Sequence, residues 1–195
     1  YETVWGRSMS IILMGKSCAG KDTVLSQLVA MGYHRIVTYT TRPMRSGETQ
    51  GVEYNFISNE QFEEMIKNNK FAEYRIYKTA EGIWYYGTLE TDFYNNRDDK
   101  AIIILTPDGY KNLRSKYNLI NKYVSIYLYV DNYIIRKRMK QRNSNTFFEN
   151  MRRYIADIID FKDVKKIADF TVDNYNSSSY ETALKCKYLD KFGRD

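Results

Sequence analysis

The segment that most restricts the fold of this chain is residues 10–31, SIILMGKSCAGKDTVLSQLVAM, in which a strand pattern gives way to a glycine loop and then to a helix pattern. The run at 10–14 is short, apolar and rich in isoleucine, as expected of a buried strand. From 21 to 31 the apolar residues recur at helical spacing, and Gly32 suits the left-handed backbone position after a helix end. Strand, glycine loop and helix in this order form the context in which a phosphate-binding loop operates.

The loop has the spacing Gly-x-x-x-x-Gly-Lys, formed by Gly15, Gly20 and Lys21. Consecutive backbone N–H groups in such a loop, together with the positive end of the following helix, bind a polyphosphate, and the lysine adds a mobile charge at the outer phosphates. The next position normally holds Ser or Thr, whose hydroxyl binds the magnesium ion of the nucleotide, but here it holds Asp22. The loop therefore predicts a phosphate site with an altered metal contact.

Strand and helix patterns alternate through the rest of the chain. Helices are predicted at 59–69, opened by a capping box of Ser58 and Gln61, and then near 108–117, from 132 to about 166, and at the C-terminus. The predicted strands lie at 35–41, 71–77, 83–88, 101–105, 123–130 and 169–172. This alternation predicts an α/β fold with a central, mostly parallel sheet covered on both faces, and no linker or repeat divides it.

Composition narrows the classes of function. The net charge of +6 favours an anionic partner, although its sign does not choose among nucleotide, nucleic acid and acidic lipid, and a solvated lysine-rich surface accounts for it equally well. We expect no nucleic-acid partner, because no reading element is recognised, and no membrane partner, because the apolar runs are too short to span a bilayer. Cys18 and Cys186 lie in no metal-binding pattern, which favours a reducing, cytoplasmic location. We expect Met9 to be the natural first residue and 1–8 to be a remnant of expression cloning.

Arginines form two groups. Arg42 and Arg45 lie in a polar loop shortly before Tyr54, and a second group consists of Arg136, Arg138, Arg142, Arg152 and Arg153. Planar guanidinium groups bind phosphate oxygens in pairs, so the two groups and the loop together suggest several phosphates in one cleft. Taken alone, the second group is equally well explained as the solvated face of a helix.

The order of these motifs resembles the guanylate kinase family of P-loop nucleoside monophosphate kinases. The matching segments run from Met14 to about Asn174 and read GKSCAGKDT, TYTTRPMRSGE, GVEYNF, FAEY, YYGT, RKRMKQR and MRRY. The segment TTRP-x-R-x-GE, followed by G-x-x-Y-x-F, is more specific than the phosphate loop and separates this family from other P-loop kinases.

The resemblance implies one domain over 9–195, with a P-loop three-layer core at 9–41, 93–135 and 156–195. It also implies an inserted small α+β subdomain at about 42–92 that binds the nucleoside monophosphate, and a helical lid at about 136–155. The implied activity is ATP-dependent phosphorylation of GMP, or dGMP, to the diphosphate, with Mg²⁺ accompanying ATP. We expect a monomer or a homodimer.

The resemblance also assigns roles to residues. Those implied to bind ATP are Gly15, Ser17, Cys18, Ala19, Gly20, Lys21, Asp22, Thr23 and Arg138. Those implied to bind GMP are Thr38, Arg42, Arg45, Tyr54, Glu73, Tyr86, Gly87 and Thr88, with Thr38 and Glu73 at the base and the arginines and tyrosines at the phosphate. The implied catalytic residues are Lys21, Arg42, Arg142 and Arg153. Such positioned positive charges suit phosphoryl transfer, which needs charge neutralisation more than a strong base.

The sequence departs from the family at the strand AIIILTPDGY. Relatives end this strand with two alternating aspartates that serve the magnesium shell and the acceptor nucleotide, whereas Ile104 and Thr106 stand here, with Asp108 as a partial substitute. At the loop, a related group, the adenylate kinases, also lacks the first hydroxyl. We therefore interpret Asp22 as a magnesium ligand, direct or through water, and Thr23 as a phosphate contact.

Three alternatives remain at this point. The same chemistry on another nucleoside monophosphate is compatible with the missing aspartates. A non-catalytic guanylate-kinase-like module that binds phosphorylated proteins is a second, although such modules tend to lose the loop and the lid arginines that are present here. A basic nucleic-acid binder is the third, and only the net charge supports it.

Overall fold

The structure, a computed structural model, describes residues 9–79, 81–96, 100–119, 122–141 and 147–192. Its larger sheet has five parallel strands in the order β2-β7-β1-β8-β9. Their bounds are β1 Ser10–Gly15, β2 His34–Arg35, β7 Ala101–Ile104, β8 Tyr123–Tyr129 and β9 Phe170–Asp173. The expected parallel sheet is thus confirmed.

The helices described by the structure alternate with these strands. They are α1 Lys21–Ala30, α2 Asn59–Lys67, α3 Glu90–Asn96, α4 Pro107–Lys116, α5 Asn132–Gln141, α6 Phe147–Asp160, α7 Val164–Ile167 and α8 Ser179–Leu189. The long helical region expected over 132–166 is therefore several helices. None of the described helices has the length and apolar character needed to cross a bilayer.

The central strand β1 shows why its sequence is apolar throughout. Ile12 and Met14 belong to an apolar cluster on one face of the sheet, whereas Ile11 and Leu13 belong to a second cluster on the other face. All four side chains have 0% exposure, because helices cover both faces. The glycine loop that follows β1 is thus anchored at the centre of the molecule.

A second sheet has the order β4-β3-β6-β5, with β3 Tyr39–Thr40, β4 Asn55–Phe56, β5 Phe71–Thr79 and β6 Gly82–Leu89. Its core is a stack of Phe62, Phe71 and Tyr85, in which the first two ring centres are 4.2 Å apart. Gly87 lies against this stack, and a Cβ there would come within 2.8 Å of Phe71. The predicted capping box of α2 is confirmed, since Ser58 and Gln61 exchange both hydrogen bonds.

The strand expected over 35–41 is wrong as a single element. Arg35 pairs with β7 in the large sheet, whereas Tyr39 pairs with β6 in the small one. The chain therefore passes from one sheet to the other between them. β-propensity is high throughout this stretch but carries no information about which sheet each residue joins.

Candidate active site

One cleft of about 520 Å³ lies between the glycine loop, the small sheet and helix α6. The lining residues that the sequence predicted are Gly15, Ser17, Cys18, Gly20, Lys21, Asp22, Thr23, Thr38, Arg42, Arg45, Tyr54, Glu73, Tyr86, Gly87, Arg138 and Arg153. Ala19 and Thr88 are buried behind the wall, and Arg142 lies outside the described residues. Segments that are distant in sequence thus meet at one concave surface.

The loop has the backbone shape needed to gather N–H groups. Cys18 and Gly20 have positive φ angles of 60° and 84°, and α1 begins directly afterwards at Lys21. A Cβ at position 20 would also lie 2.9 Å from the Asn174 amide nitrogen, so glycine is required there for conformation and for space. The positive end of α1 therefore points into the cleft.

Lys21 folds back over the mouth of the loop. Its ammonium donates to the backbone carbonyl oxygens of Gly15 at 2.8 Å and Lys16 at 2.9 Å. These bonds hold a positive charge beside the loop N–H groups. An arriving phosphate would meet a charge that is already in position.

Two side chains brace the loop from behind. The Asn174 amide donates to the Ala19 carbonyl at 2.7 Å and accepts from the Thr182 hydroxyl at 2.9 Å, which joins the loop to α8. Arg138 donates to the carbonyls of Cys18 and Asn174, at 3.2 and 3.3 Å. In this structure the Arg138 side chain therefore supports the loop by binding a backbone carbonyl of the loop.

Asp157, a residue that sequence reasoning did not select, reaches into the phosphate loop from α6. Its Oδ2 accepts a 2.8 Å hydrogen bond from the Ser17 N–H. Burial raises the pKa of this carboxyl, although the nearby Lys21 charge and the Ser17 N–H partly counteract the rise. An acidic side chain thus accepts a hydrogen bond from one backbone N–H, that of Ser17, in a loop whose N–H groups are suited to bind anions.

At the opposite end, Arg42 is buried at 4% exposure and is held by Glu48 at 2.9 Å. Burial alone would lower the pKa of the Arg42 guanidinium, but the hydrogen bond to Glu48 and the electrostatic interactions with Tyr86, Glu48 and Tyr54 together outweigh it, and the net pKa lies above its ordinary value. Its guanidinium carbon also lies 5.5 Å from the ring centre of Tyr54. The Glu of the TTRP-x-R-x-GE motif therefore orients the first arginine of that motif.

Glu73 stands on β5 opposite Thr88 of β6, whose hydroxyl donates to it at 2.7 Å. Burial raises the pKa of the Glu73 carboxyl, and the Thr88 hydrogen bond and the Arg75 charge only partly reverse this. A buried carboxylate that lines a cleft is suited to accept N–H groups from a ligand, because the ligand replaces the water that it has lost.

The end of β7 provides no carboxylate to the cleft. Ile104 and Thr106 line it, and the Thr106 hydroxyl caps α4 by accepting from the Gly109 N–H. Asp108 was the expected partial substitute, but it lines a neighbouring hollow instead and lies 3.5 Å from both Arg75 and Lys111. That expectation is wrong, because capping by Thr106 starts α4 and turns Asp108 out of the cleft.

A metal ion would find few protein ligands here. Within the described ranges, no group of three or more His, Cys, Asp or Glu side chains is placed to hold one. The Asp22 side chain is 68% exposed and lies 3.8 Å from Arg35. This arrangement fits an ion that arrives with nucleotide phosphates and keeps most of its water, as Mg²⁺ does.

Sequence reasoning did not select Glu48, Arg75 and Asp157 as lining residues. They differ in whether a local sequence pattern could have revealed them. Glu48 lies within the quoted motif, and Arg75 shares the alternation of β5 with Glu73, so both had a local signal. Asp157 had none, since its contact with Ser17 spans 140 residues. Arg153 of α6 lies across the cleft, and its guanidinium carbon is 5.8 Å from the ring centre of Trp84.

Comparisons with known proteins agree with this geometry. The sequence model of the guanylate kinase family matches residues 7–177. A guanylate kinase of Campylobacter jejuni is 28% identical over 189 residues, covering 93% of this chain and 89% of that protein. One from Streptococcus pyogenes is 39% identical over 99 residues, 49% of this chain and 44% of that protein.

Solved structures show the same fold. The crystal structure of guanylate kinase from Anaplasma phagocytophilum matches with a TM-score of 0.71 at 21% identity, covering 95% of this chain and 86% of that one. A gluconokinase from Sinorhizobium meliloti matches with a TM-score of 0.53 at 15% identity, covering 93% of each.

A glycine loop between a central parallel strand and a helix, opposed by arginines across one cleft, defines a nucleotide-binding P-loop kinase, which is a transferase. Within that class, the chain belongs to the guanylate kinase family.

Proposed function

We propose that this protein transfers the γ-phosphoryl group of ATP to GMP or dGMP. The observation that carries the proposal is that the phosphate loop, Arg42 and Glu73 line one cleft. A donor triphosphate, an acceptor phosphate and an acceptor base thus each have a group of suitable charge within a single cleft.

At the donor end, the loop over residues 15–23 would bind the ATP phosphates through its backbone N–H groups, with Lys21 at the outer phosphates. Arg153, on α6, would neutralise charge that moves between the two nucleotides, and Arg138 would keep the loop in shape. We propose Arg142 as a further lid arginine, on the strength of its motif alone.

At the acceptor end, Arg42 and Arg45, with the hydroxyls of Tyr54 and Tyr86, would hold the phosphate of the monophosphate. Glu73 would accept hydrogen bonds from the guanine N–H groups, and Thr38 would hydrogen-bond the base. Thr88, which is buried, would act by orienting Glu73 through the hydrogen bond that joins them. We propose residues of about 42–92 as the acceptor-binding subdomain and about 136–155 as the lid.

The site suits a magnesium ion that is carried by the ATP phosphates. Asp22 is the residue of this chain that we propose to hold it, directly or through water. When bound, the ion would neutralise charge on the phosphate oxygens.

In the reaction, a phosphate oxygen of the acceptor attacks the γ-phosphorus in line. The bond from that phosphorus to the bridging oxygen breaks, and ADP leaves with the electron pair. The acceptor oxygen is already ionised at neutral pH, so no general base is required of the protein. The work of this chain is to align the two nucleotides and to exclude water from the transferred group.

A specific observation supports a second candidate acceptor, a nucleoside monophosphate other than GMP or dGMP. The β7 end of the cleft presents Ile104 and Thr106, and Arg75 lines the same wall. Neither Ile104 nor Thr106 is a carboxylate, whereas two aspartates are usual for the family, and a different nucleoside monophosphate could be the better acceptor. The two free cysteines, Cys18 and Cys186, are in keeping with a reducing, cytoplasmic setting.

Steady-state assays that couple ADP release to a spectroscopic signal, run with each nucleoside monophosphate, test the proposal. We expect the largest kcat/KM with GMP or dGMP. Absence of turnover with both, alongside clear turnover with another base, would show that the acceptor is misassigned. Binding of mant-ATP without transfer to any acceptor would point instead to a non-catalytic module.

A further inference from the structure

We infer that Arg75 binds the sugar of the acceptor nucleotide and makes the enzyme prefer a ribonucleoside monophosphate over its 2′-deoxy form. This inference rests on the proposed function, because it requires an acceptor nucleotide between Glu73 and Arg42. It goes further by naming the residue that would read the sugar.

The strand pattern directs Arg75 into the cleft. Along β5, Glu73, Arg75 and Tyr77 line the cleft, whereas Tyr74 and Ile76 between them are 41% and 53% exposed on the other face. The Arg75 side chain is 14% exposed. It therefore belongs to the wall of the site and not to the solvated surface of the small sheet.

The register of β5 and β6 places Arg75 on the same wall of the cleft as both ends of the proposed acceptor site. Glu73 pairs with Thr88 at the proposed base end, and Arg75 pairs with Tyr86, which is proposed to contact the phosphate. Directly paired residues of antiparallel strands project from the same face of the sheet. The sugar separates base from phosphate, so an acceptor held at both ends would carry its sugar along this wall, where the long Arg75 side chain can reach it.

The guanidinium also has a donor to spare. Its Nε is buried and has no hydrogen-bond partner within the described part of the chain. A buried donor left without a partner costs free energy, so an atom that arrives with a ligand is the natural acceptor. Sugar hydroxyl oxygens can accept such a bond, and deletion of the 2′-hydroxyl removes one of them.

A purely structural role for Arg75 is the competing explanation. Its Nη2 lies 3.5 Å from Asp108. Burial raises the pKa of the Asp160 carboxyl, and the Arg75 charge counteracts part of that rise. However, Asp108 is 55% exposed, and an ion pair at such a site contributes little stability. Loss of that pair should therefore leave sugar preference intact.

The test compares GMP with dGMP for the wild type, Arg75→Ala, Arg75→Lys and the matched control Asp108→Asn. The wild type is expected to have the higher kcat/KM with GMP. Arg75→Ala should lower kcat/KM for GMP about tenfold or more, the usual effect of losing a hydrogen bond to a charged group, mainly through KM. Its kcat/KM for dGMP and its KM for ATP should stay within about twofold. The reason is that dGMP lacks the 2′-hydroxyl, which is the only group that Arg75 is inferred to contact. Arg75→Lys keeps the charge but lacks the Nε donor and should lose the preference as well.

Equal losses for GMP and dGMP, no loss for either, retention of the preference in Arg75→Lys, or the same change in Asp108→Asn would each overturn the inference. Circular dichroism checks that every variant is folded. The GMP to dGMP ratio is also measured as binding by calorimetry, which answers the question even without transfer. Failure of the wild type to turn over either nucleotide refutes the proposed function, whereas an unchanged ratio in Arg75→Ala refutes the inference alone.

Discussion

The proposed donor and acceptor ends of the cleft are built in opposite ways. At the donor end, a continuous segment, residues 15–23, supplies backbone N–H groups, and Lys21 is held by carbonyls of the same loop. At the acceptor end, side chains from separate segments converge, and two of the central ones, Arg42 and Glu73, are buried and ionisable. The donor end is thus formed mainly by backbone groups, and the acceptor end mainly by side chains.

This difference has a physical consequence. A backbone site depends on chain conformation, so it tolerates most side-chain changes that leave the loop shape intact. A side-chain site depends on each buried charge having a partner, so a single substitution alters affinity, selectivity and stability together. The predictions below test this contrast, in order of decreasing expected effect.

Lys21 is the side chain of the loop on which function should depend most. Lys21→Ala is expected to lower kcat by about a hundredfold or more, because a positioned charge at the transferred group is lost. Lys16→Ala is the matched control, since that ammonium binds Asn132 at 2.8 Å and does not line the cleft. Normal turnover of Lys21→Ala in the coupled assay would refute the assignment of the loop.

Glu73→Gln should weaken GMP binding and raise the stability of the folded protein. Replacement of one acceptor oxygen by an amide is expected to raise KM for GMP about tenfold or more, with KM for ATP unchanged. Glu53→Gln, in the same cleft but bonded to the Thr49 N–H, is the control. An unchanged KM for GMP would mean that Glu73 does not contact the base.

The same variant should melt at a higher temperature at neutral pH. The folded-state pKa of Glu73 is raised above its ordinary value of 4.5, chiefly by burial. Its contribution to stability is therefore full below pH 4.5 and is lost as pH rises through the raised pKa. The gain in Tm of Glu73→Gln should accordingly grow with pH across that window, and a gain that shrinks with pH would contradict the reasoning.

Asp157→Asn should tighten ATP binding by about three- to tenfold, or roughly 0.7–1.4 kcal/mol. The amide oxygen can still accept from the Ser17 N–H, but the negative charge that opposes the phosphates is gone. Asp160→Asn, about one turn later along the same cleft-facing side of α6 but without a bond to the loop, should leave mant-ATP affinity unchanged. Weaker ATP binding by Asp157→Asn would show that the carboxylate supports the nucleotide.

Asp22→Ser should have the smallest effect of the series. The side chain is largely exposed, and a hydroxyl at that position can serve the same metal, so ATP affinity should stay within about tenfold, or roughly 1.4 kcal/mol. Titration with mant-ATP and magnesium measures it. A much larger loss would show that Asp22 is a required metal ligand, and the donor end would then depend on a second side chain besides Lys21.

The same contrast explains what the sequence could reveal. The strand, the loop and α1 were predictable because each is encoded by consecutive residues, and the capping box of α2 followed from two residues, Ser58 and Gln61. The division of 35–41 between two sheets was not, because strand propensity does not specify a partner. Most of the acceptor wall was reached through motif resemblance, whereas the Asp157 contact depends on how α6 packs over the loop, which no local pattern encodes.

The brace behind the loop sets an order of assembly. Asn174 holds the Ala19 carbonyl and is itself held by Thr182 of α8, and the Met9 N–H donates to the Asp190 carbonyl just beyond that helix. The shape of the loop thus depends on residues that the ribosome makes long after the loop itself. We expect a nascent chain to gain ATP binding only after α8 has emerged and docked, so the most readable motif in the sequence is among the last to become functional.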